Sequence, residues 1–337
     1  MGYFYLHRLH CCIKIVTACL IMNKFSKIAL IILLAGVFSL NAQVVSVKPN
    51  SFETFIQSSF IPDVQPEKSF IYKKAGEREL KIHGFFPLKK KKKNPCMIYI
   101  HGGGWKGGTS KGSMKWCRYL SELGCVAFTI DYRLSNENTG VKPSTCLEDT
   151  KSAVRWVREN ADRFNIDTSR IALAGNSAGG HLAAACATID KFNDPDDDLT
   201  ISCKPKLLLL ASPVIDNGPD GYGFDRVEDF WRDFSPVHNL NDQLPPTCIL
   251  LGDKDPLIPF ESAVKFGQAV KKSDSAVEFY VFEGKGHGLF SQKESELTEP
   301  IMLIYYHWHR FLAKQGYVKK PKKIKADYQI VLSEYKL

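Results

Sequence analysis

Short apolar runs alternate with longer stretches of helical periodicity from about residue 70 to residue 314. Residues 97–101 form an apolar run bounded by Pro95 and a glycine cluster, which predicts a buried strand. A helix is predicted over 115–123, ending at Gly124, and a second strand over 126–131. In 147–160 the apolar positions 147, 153, 154, 157 and 161 approach helical spacing. Glu148 and Asp149 lie in its first turn, where acidic groups complement the helix dipole. Further strands are predicted at 170–174, 207–212, 247–252 and 277–282. Helices are predicted from the 175–180 turn to about 189, at 261–271 and at 299–314.

Strands separated by helices of this length predict an α/β fold, with a mostly parallel twisted sheet covered by helices on both faces. Ligands of such sheets gather beyond the carboxyl ends of the strands, and every chemically suggestive motif here follows a strand. One catalytic domain is expected over 69–317, with an N-terminal arm at 43–68, an aromatic-rich insertion at 213–246 and a Lys-rich tail at 318–337.

The first 42 residues read as a secretory signal. Lys24 and Lys27 precede an uncharged apolar run of 13 residues at 28–40, and a small residue, Ala42, precedes the expected cut. The run is shorter than the roughly 20 residues a membrane helix needs. An exported protein, periplasmic or secreted, with no stable membrane anchor is therefore expected. Met22 stands where such a signal normally begins, so 1–21 read as lying upstream of the true start.

The net charge of +9 does not describe the domain. Arg8, Lys14, Lys24 and Lys27 belong to the leader, and lysines at 89–93, 319, 320, 322, 323 and 325 supply ten more positive charges, which leaves about −5 elsewhere. Basicity confined to one loop and one tail fits solvated segments better than a nucleic-acid surface. Seven cysteines follow residue 42, none in a CxxC pair, and no metal-ligand spacing appears. Neither a metal nor a cofactor is expected.

Gly175-Asn176-Ser177-Ala178-Gly179 falls between a predicted strand and a predicted helix. A serine there occupies a turn sharp enough to strain its backbone, with small neighbours letting strand and helix approach. Its hydroxyl projects at a helix N-terminus, whose dipole favours a developing alkoxide. The pattern alone arises often by chance, so context decides. His101-Gly102-Gly103-Gly104-Trp105 also follows a strand, and its consecutive glycines can turn amides towards an oxyanion, together with the N–H of Ala178. No GK[ST] follows at phosphate-loop spacing. Gly252-Asp253-Lys254-Asp255 follows a third strand, where a carboxylate can orient a histidine. Asp255 is preferred to Asp253 from its place ahead of Pro256-Leu257-Ile258-Pro259, although either can cap the next helix. Gly284-Lys285-Gly286-His287-Gly288 follows a fourth, and a histidine in a glycine loop suits a general base better than a core. His181 is the rival, with packing as its plainer role. The order Ser…Asp…His is that of α/β hydrolases.

These motifs, with DYRL at 131–134, LEDTKSAVRWVREN to RIALAGNSAGGHLAA, SPVHNL at 235–240, LLGDKDPLIP and GKGHGLF, resemble the HGGG-type serine esterases of the α/β-hydrolase superfamily. Within it the chain is most similar to bacterial carbohydrate esterases of the acetyl-xylan and feruloyl type, over about residues 70–315. The resemblance implies Ser177 as nucleophile, Asp255 and His287 as its relay, and Gly103, Gly104 and Ala178 as oxyanion donors. Asn176 replaces the aspartate common in hormone-sensitive-lipase relatives, and the arm is short for their helical cap, so no large cap domain is expected. The implied reaction is hydrolysis of acetyl or feruloyl esters on plant polysaccharide or its oligosaccharides through an acyl-enzyme. A general small-substrate carboxylesterase, and an arylformamidase- or peptidase-like amidase on the same triad, are the alternatives. Trp105 and Trp231, with Tyr222, Phe224 and Phe230, either wall the substrate site or close the core of the insertion. The lysines at 89–93 match no pattern.

Overall fold

A computed structural model describes residues 52–59, 63–88, 92–290, 297–324 and 332–337. The segment read as an export signal lies outside them, as do lysines 89–91. Nine strands form one sheet among the described residues, in the order β1-β2-β4-β3-β5-β6-β7-β8-β9. They are β1 (Lys68–Ala75), β2 (Arg78–Phe85), β3 (Asn94–Ile100), β4 (Val126–Ile130), β5 (Ile166–Asn176), β6 (Leu207–Ala211), β7 (Thr247–Gly252), β8 (Val277–Phe282) and β9 (Leu332–Glu334). Strands β3 to β8 run parallel, while β1, β2 and β9 pair antiparallel at the two edges. The helices of eight residues or more are α1 (Phe52–Ser59), α2 (Lys111–Glu122), α3 (Pro143–Glu159), α4 (Ala178–Thr188), α5 (Phe260–Lys272) and α6 (Glu299–Lys314).

Successive strand residues point to opposite faces, and the apolar parallel strands supply both. Ile98, Leu173, Leu208 and Ile249 meet Val154, Leu182 and Phe266 of α3, α4 and α5 on one face. Met97, Ala172, Leu209 and Cys248 meet Phe52, Trp116 and Trp308 of α1, α2 and α6 on the other. The α/β architecture expected from the alternation is thus observed. In the β1–β2 hairpin the alternation of β1 is interrupted by a register shift between Ile71 and Lys73, which leaves Ile71 exposed, and the strands join through a turn at Gly76. The segment read as a basic tail needs correcting in part. Tyr335 N–H donates to the Phe279 carbonyl at 2.7 Å and its ring packs on Phe279 and Phe260, so 332–337 close the sheet edge beside β8. Three residues of strand are too few to show a period.

Motif residues outside the site carry scaffold. Arg133 of DYRL binds Asp149 of α3 through Nε at 2.9 Å and Nη2 at 2.6 Å, and Lys73 of β1 reaches the same carboxylate at 2.8 Å. Asp149 is fully buried. A buried carboxylate is tolerated only with such partners, and these tie the hairpin, the β4 exit and α3 together.

The sheet order places β4 on one side of β3 and β5 on the other. A crevice opens at such a reversal, beyond the carboxyl ends of the two strands. There α4 runs against the end of β3 so closely that a Cβ added at Gly179 would lie 2.1 Å from the Ile100 carbonyl oxygen, and one at Gly175 would lie 2.4 Å from Gly179. Gly179→Ala is expected to destabilise the protein by about 1–3 kcal/mol, the usual cost of overpacking, read as a lowered midpoint of urea unfolding. An unchanged midpoint would show that the junction can spread.

Candidate active site

Ser177 is the link between β5 and α4, with φ 52° and ψ −124°. A non-glycine residue holds positive φ only where its surroundings over-determine it. Here Ser177 N–H donates to the Ala211 carbonyl at 3.0 Å, and the Ser177 carbonyl accepts from His181 N–H at 3.0 Å and Val214 N–H at 3.2 Å. The hydroxyl is thereby held out of the sheet above the crevice.

Its partner comes from the loop after β8. His287 Nε2 lies 3.0 Å from Ser177 Oγ, and His287 Nδ1 lies 2.8 Å from Asp255 Oδ2. The carboxylate accepts, so Nδ1 carries the proton and Nε2 is left to accept from the serine. Asp255 Oδ1 accepts the N–H groups of Leu257 at 3.0 Å and Ile258 at 3.2 Å. Its side chain is only 1% exposed. Burial works to raise the Asp255 carboxyl, but the bonds from His287 and Leu257 outweigh it and hold the group below the usual carboxylate range. It therefore stays charged wherever the imidazole can act.

The two loops meet through their backbones. Lys254 N–H donates to the Lys285 carbonyl at 3.0 Å, and a Cβ at Gly252 would lie 2.0 Å from that oxygen. Asp253, the other carboxylate of the motif, accepts Gly284 N–H at 2.6 Å. It closes the histidine loop and does not touch the imidazole. His181 is fully buried, with its Nε2–H on the Phe234 carbonyl at 2.9 Å, and burial lowers its pKa to about 4. It packs, and does not compete as a base.

The glycine loop after β3 borders Ser177, since a Cβ on Gly102 would lie 3.2 Å from the Ser177 Cβ. Gly103 and Gly104 have φ 120° and 60°. Their carbonyl sides are occupied: Gly102 O accepts from His101 Nδ1 at 2.8 Å, and Gly103 O accepts from Lys106 and Gly107 N–H at 3.2 and 2.9 Å. In a trans peptide the N–H points opposite the carbonyl, so the amides of Gly103 and Gly104 face away from these partners. Neither amide, nor that of Ala178 at the first position of α4, donates to a backbone carbonyl among the described residues. His101 is itself fixed by Tyr132, which stacks on it at 4.3 Å and donates to its carbonyl at 2.9 Å. Burial lowers the pKa of His101, favouring the neutral ring.

Of the two roles open to Trp105, burial selects packing over substrate contact. Trp105 is fully buried, packed between His181, Tyr222 and Phe234, so it supports the glycine loop from behind and cannot touch a substrate. The aromatics of the insertion divide. Phe234 is buried, with Phe230 packed on it and on Phe192, while Phe230, Trp231, Phe224 and Tyr222 all stay partly exposed. Tyr222 borders the loop, since a Cβ at Gly104 would lie 2.8 Å from its hydroxyl. Tyr132 and Arg226, which also hold the loop, carry no sequence signal beyond the DYRL string that contains the tyrosine.

Two family models match the chain, BD-FAE over residues 82–209 and the prolyl oligopeptidase family over 211–314. The chain is similar to Thermogutta terrifontis esterase 2 in the structure phosphoramylated by tabun, with 30% identity and a TM-score of 0.71, covering 77% of this chain and 98% of that one. It is similar to Esterase LipC of Mycobacterium tuberculosis, 29% identical over 65% of this chain and 60% of the relative. It is also similar to endo-1,4-beta-xylanase B of Butyrivibrio fibrisolvens, 28% identical over 58% of this chain and 33% of the relative. This chain thus spans between a third and three fifths of the length of those two curated relatives.

The two carboxylates of the 252–255 loop make opposite predictions. Asp255→Asn should lower kcat on nitrophenyl acetate by about 10³–10⁴-fold, as loss of the orienting carboxylate does in other serine hydrolases. Asp253→Asn should stay within several-fold of the parent. Equal losses in both would contradict the assignment.

Proposed function

Because the chain belongs to the serine esterases of the α/β-hydrolase fold, we propose that it hydrolyses carboxylic esters through an acyl-enzyme on Ser177. Ser177 Oγ attacks the ester carbonyl while His287 Nε2 takes its proton. The imidazolium is stabilised by Asp255, and the oxyanion lies against the amides of Gly103, Gly104 and Ala178. His287 returns the proton to the leaving alcohol. Water then attacks the acyl group, its proton passing to His287 and on to Ser177 Oγ, and the acid is released. The observation that carries this reading is the unbroken chain of contacts from Oγ through the imidazole to a buried, doubly amide-bonded carboxylate.

We further propose that the ester lies on acylated plant polysaccharide or its oligosaccharides, with acetyl or feruloyl as the acyl group. The similarity to a protein named as a xylanase supports this. The partly exposed Tyr222, Phe224 and Trp231 offer aromatic faces on the insertion, suited to a sugar or phenolic ring. The second reading is a general carboxylesterase for short-chain esters. Its support is the likeness to Thermogutta terrifontis esterase 2, whose structures include a propionate-bound form.

A substrate panel separates the readings. Release of acetate or ferulate from acylated xylan at a kcat/KM at least matching that for nitrophenyl acetate supports the polysaccharide reading. Turnover of the nitrophenyl ester alone leaves the general carboxylesterase. Preference for an N-formyl arylamine over every ester would overturn both in favour of an amidase.

A further inference from the structure

Three consecutive carbonyls of the glycine loop are each held by a donor, and they differ in where the donor comes from. Gly102 O is held by the neighbouring His101 ring, and Gly103 O by the turn at 106–107. Gly104 O is held from far along the chain, by Nη1 of Arg226 at 2.8 Å. Arg226 belongs to the insertion between β6 and β7. Its guanidinium also lies over the Trp105 ring at 5.4 Å and the Tyr222 ring at 4.9 Å. The side chain is 17% exposed, and its nearest carboxylate, Asp225, stands 3.7 Å from Nε.

What Arg226 holds is costly backbone. Gly104 has φ 60°, and Trp105, which has a side chain, has φ 62°. A bulky residue at positive φ is unfavourable by itself and persists only when fixed from outside. The insertion is shaped to fix it. A Cβ added at Gly223 would lie 2.8 Å from the Trp105 ring and 3.2 Å from the Arg226 guanidinium. The bracket is in turn anchored, since Tyr222 N–H donates to Asp216 O at 3.0 Å and Asn217 Nδ2 donates to Tyr222 O at 2.9 Å.

We propose that Arg226 is a positioning residue for ester hydrolysis: by clamping the Gly104 carbonyl and capping Trp105, it keeps the Gly103 and Gly104 amides aimed at the acyl oxygen. This rests on the reading of Ser177 as nucleophile. Arg226 does not touch the reacting atoms. The energy of an oxyanion contact depends steeply on the placement of its donors, so releasing one end of the loop should weaken the transition state more than the bound ester.

The test uses the full chain and two variants, with nitrophenyl acetate as substrate and a trifluoromethyl ketone as a mimic of the tetrahedral adduct. Arg226→Met keeps the apolar stem and removes the donor, while Arg226→Gln keeps a donor without charge. Arg226→Met should lose about 10- to 100-fold in kcat with KM within about threefold, and should lose ketone affinity by the same factor. Arg226→Gln should recover most of both. Wild-type kcat and ketone affinity in Arg226→Met, or a loss confined to KM, overturns the proposal. If Arg226→Met does not fold, Arg226→Leu, which also keeps an apolar stem and lacks a donor, carries the same test, and a thermal midpoint lowered with no change in kcat or ketone affinity makes Arg226 structural only and ends the proposal. An inert wild-type chain would instead sink the ester-hydrolase reading on which it rests.

Discussion

The backbone of α4 lies against the end of β3 with no space for a side chain at Gly179, and the site follows from that contact. It brings the β5–α4 turn beside the glycine loop, within reach of a single acyl group. Gly175 and Gly179 are required by this approach and by nothing else nearby, because the atoms a Cβ would meet are main chain and cannot move aside as a side chain could. The strain at Ser177 is the other side of the same constraint. A link this tight between a parallel strand and a helix leaves one residue at positive φ, and it is the residue whose hydroxyl points into the crevice.

The remaining parts differ in how firmly they are set. Asp255 is buried, bonded to two amides and to the imidazole, and held charged, so the electrostatics at that end of the relay are fixed before any substrate arrives. His287 sits in a glycine loop, but Asp253 and the Lys254–Lys285 backbone bond hold that loop against its neighbour. On the oxyanion side the Gly103 and Gly104 peptide planes are pinned through the carbonyls of Gly102 and Gly103, and the insertion holds the next plane through Gly104 O. Preorganisation of this kind lowers the barrier because no dipole has to turn when charge develops.

The parallel strands and the Ser–Asp–His order were legible in the sequence, for physical reasons. Strands buried on both faces read as continuous apolar runs, and glycines cluster where main chain must approach main chain. The hairpin at 68–85 was not legible, because a register shift between Ile71 and Lys73 interrupts the alternation of β1 and turns the apolar Ile71 outward. Strand β9 was too short to signal. Asp255 was preferred to Asp253 from its place ahead of Pro256-Leu257-Ile258-Pro259, and it is the carboxylate that meets the imidazole. Both roles stayed open for Trp105, because an aromatic after a glycine loop looks the same in sequence whether it faces substrate or core. Arg226 lies 122 positions from the carbonyl it holds, and no local pattern records such a contact.

Reaction with a fluorophosphonate, followed by mass spectrometry of the tryptic peptides, tests the central claim most directly. The probe forms a stable adduct only on a serine whose proton is removed by a correctly placed base. A single adduct is expected on the peptide containing Ser177, greatly slowed by His287→Ala and absent in Ser177→Ala. An adduct on another serine, or equal labelling in the folded His287→Ala variant, would contradict it.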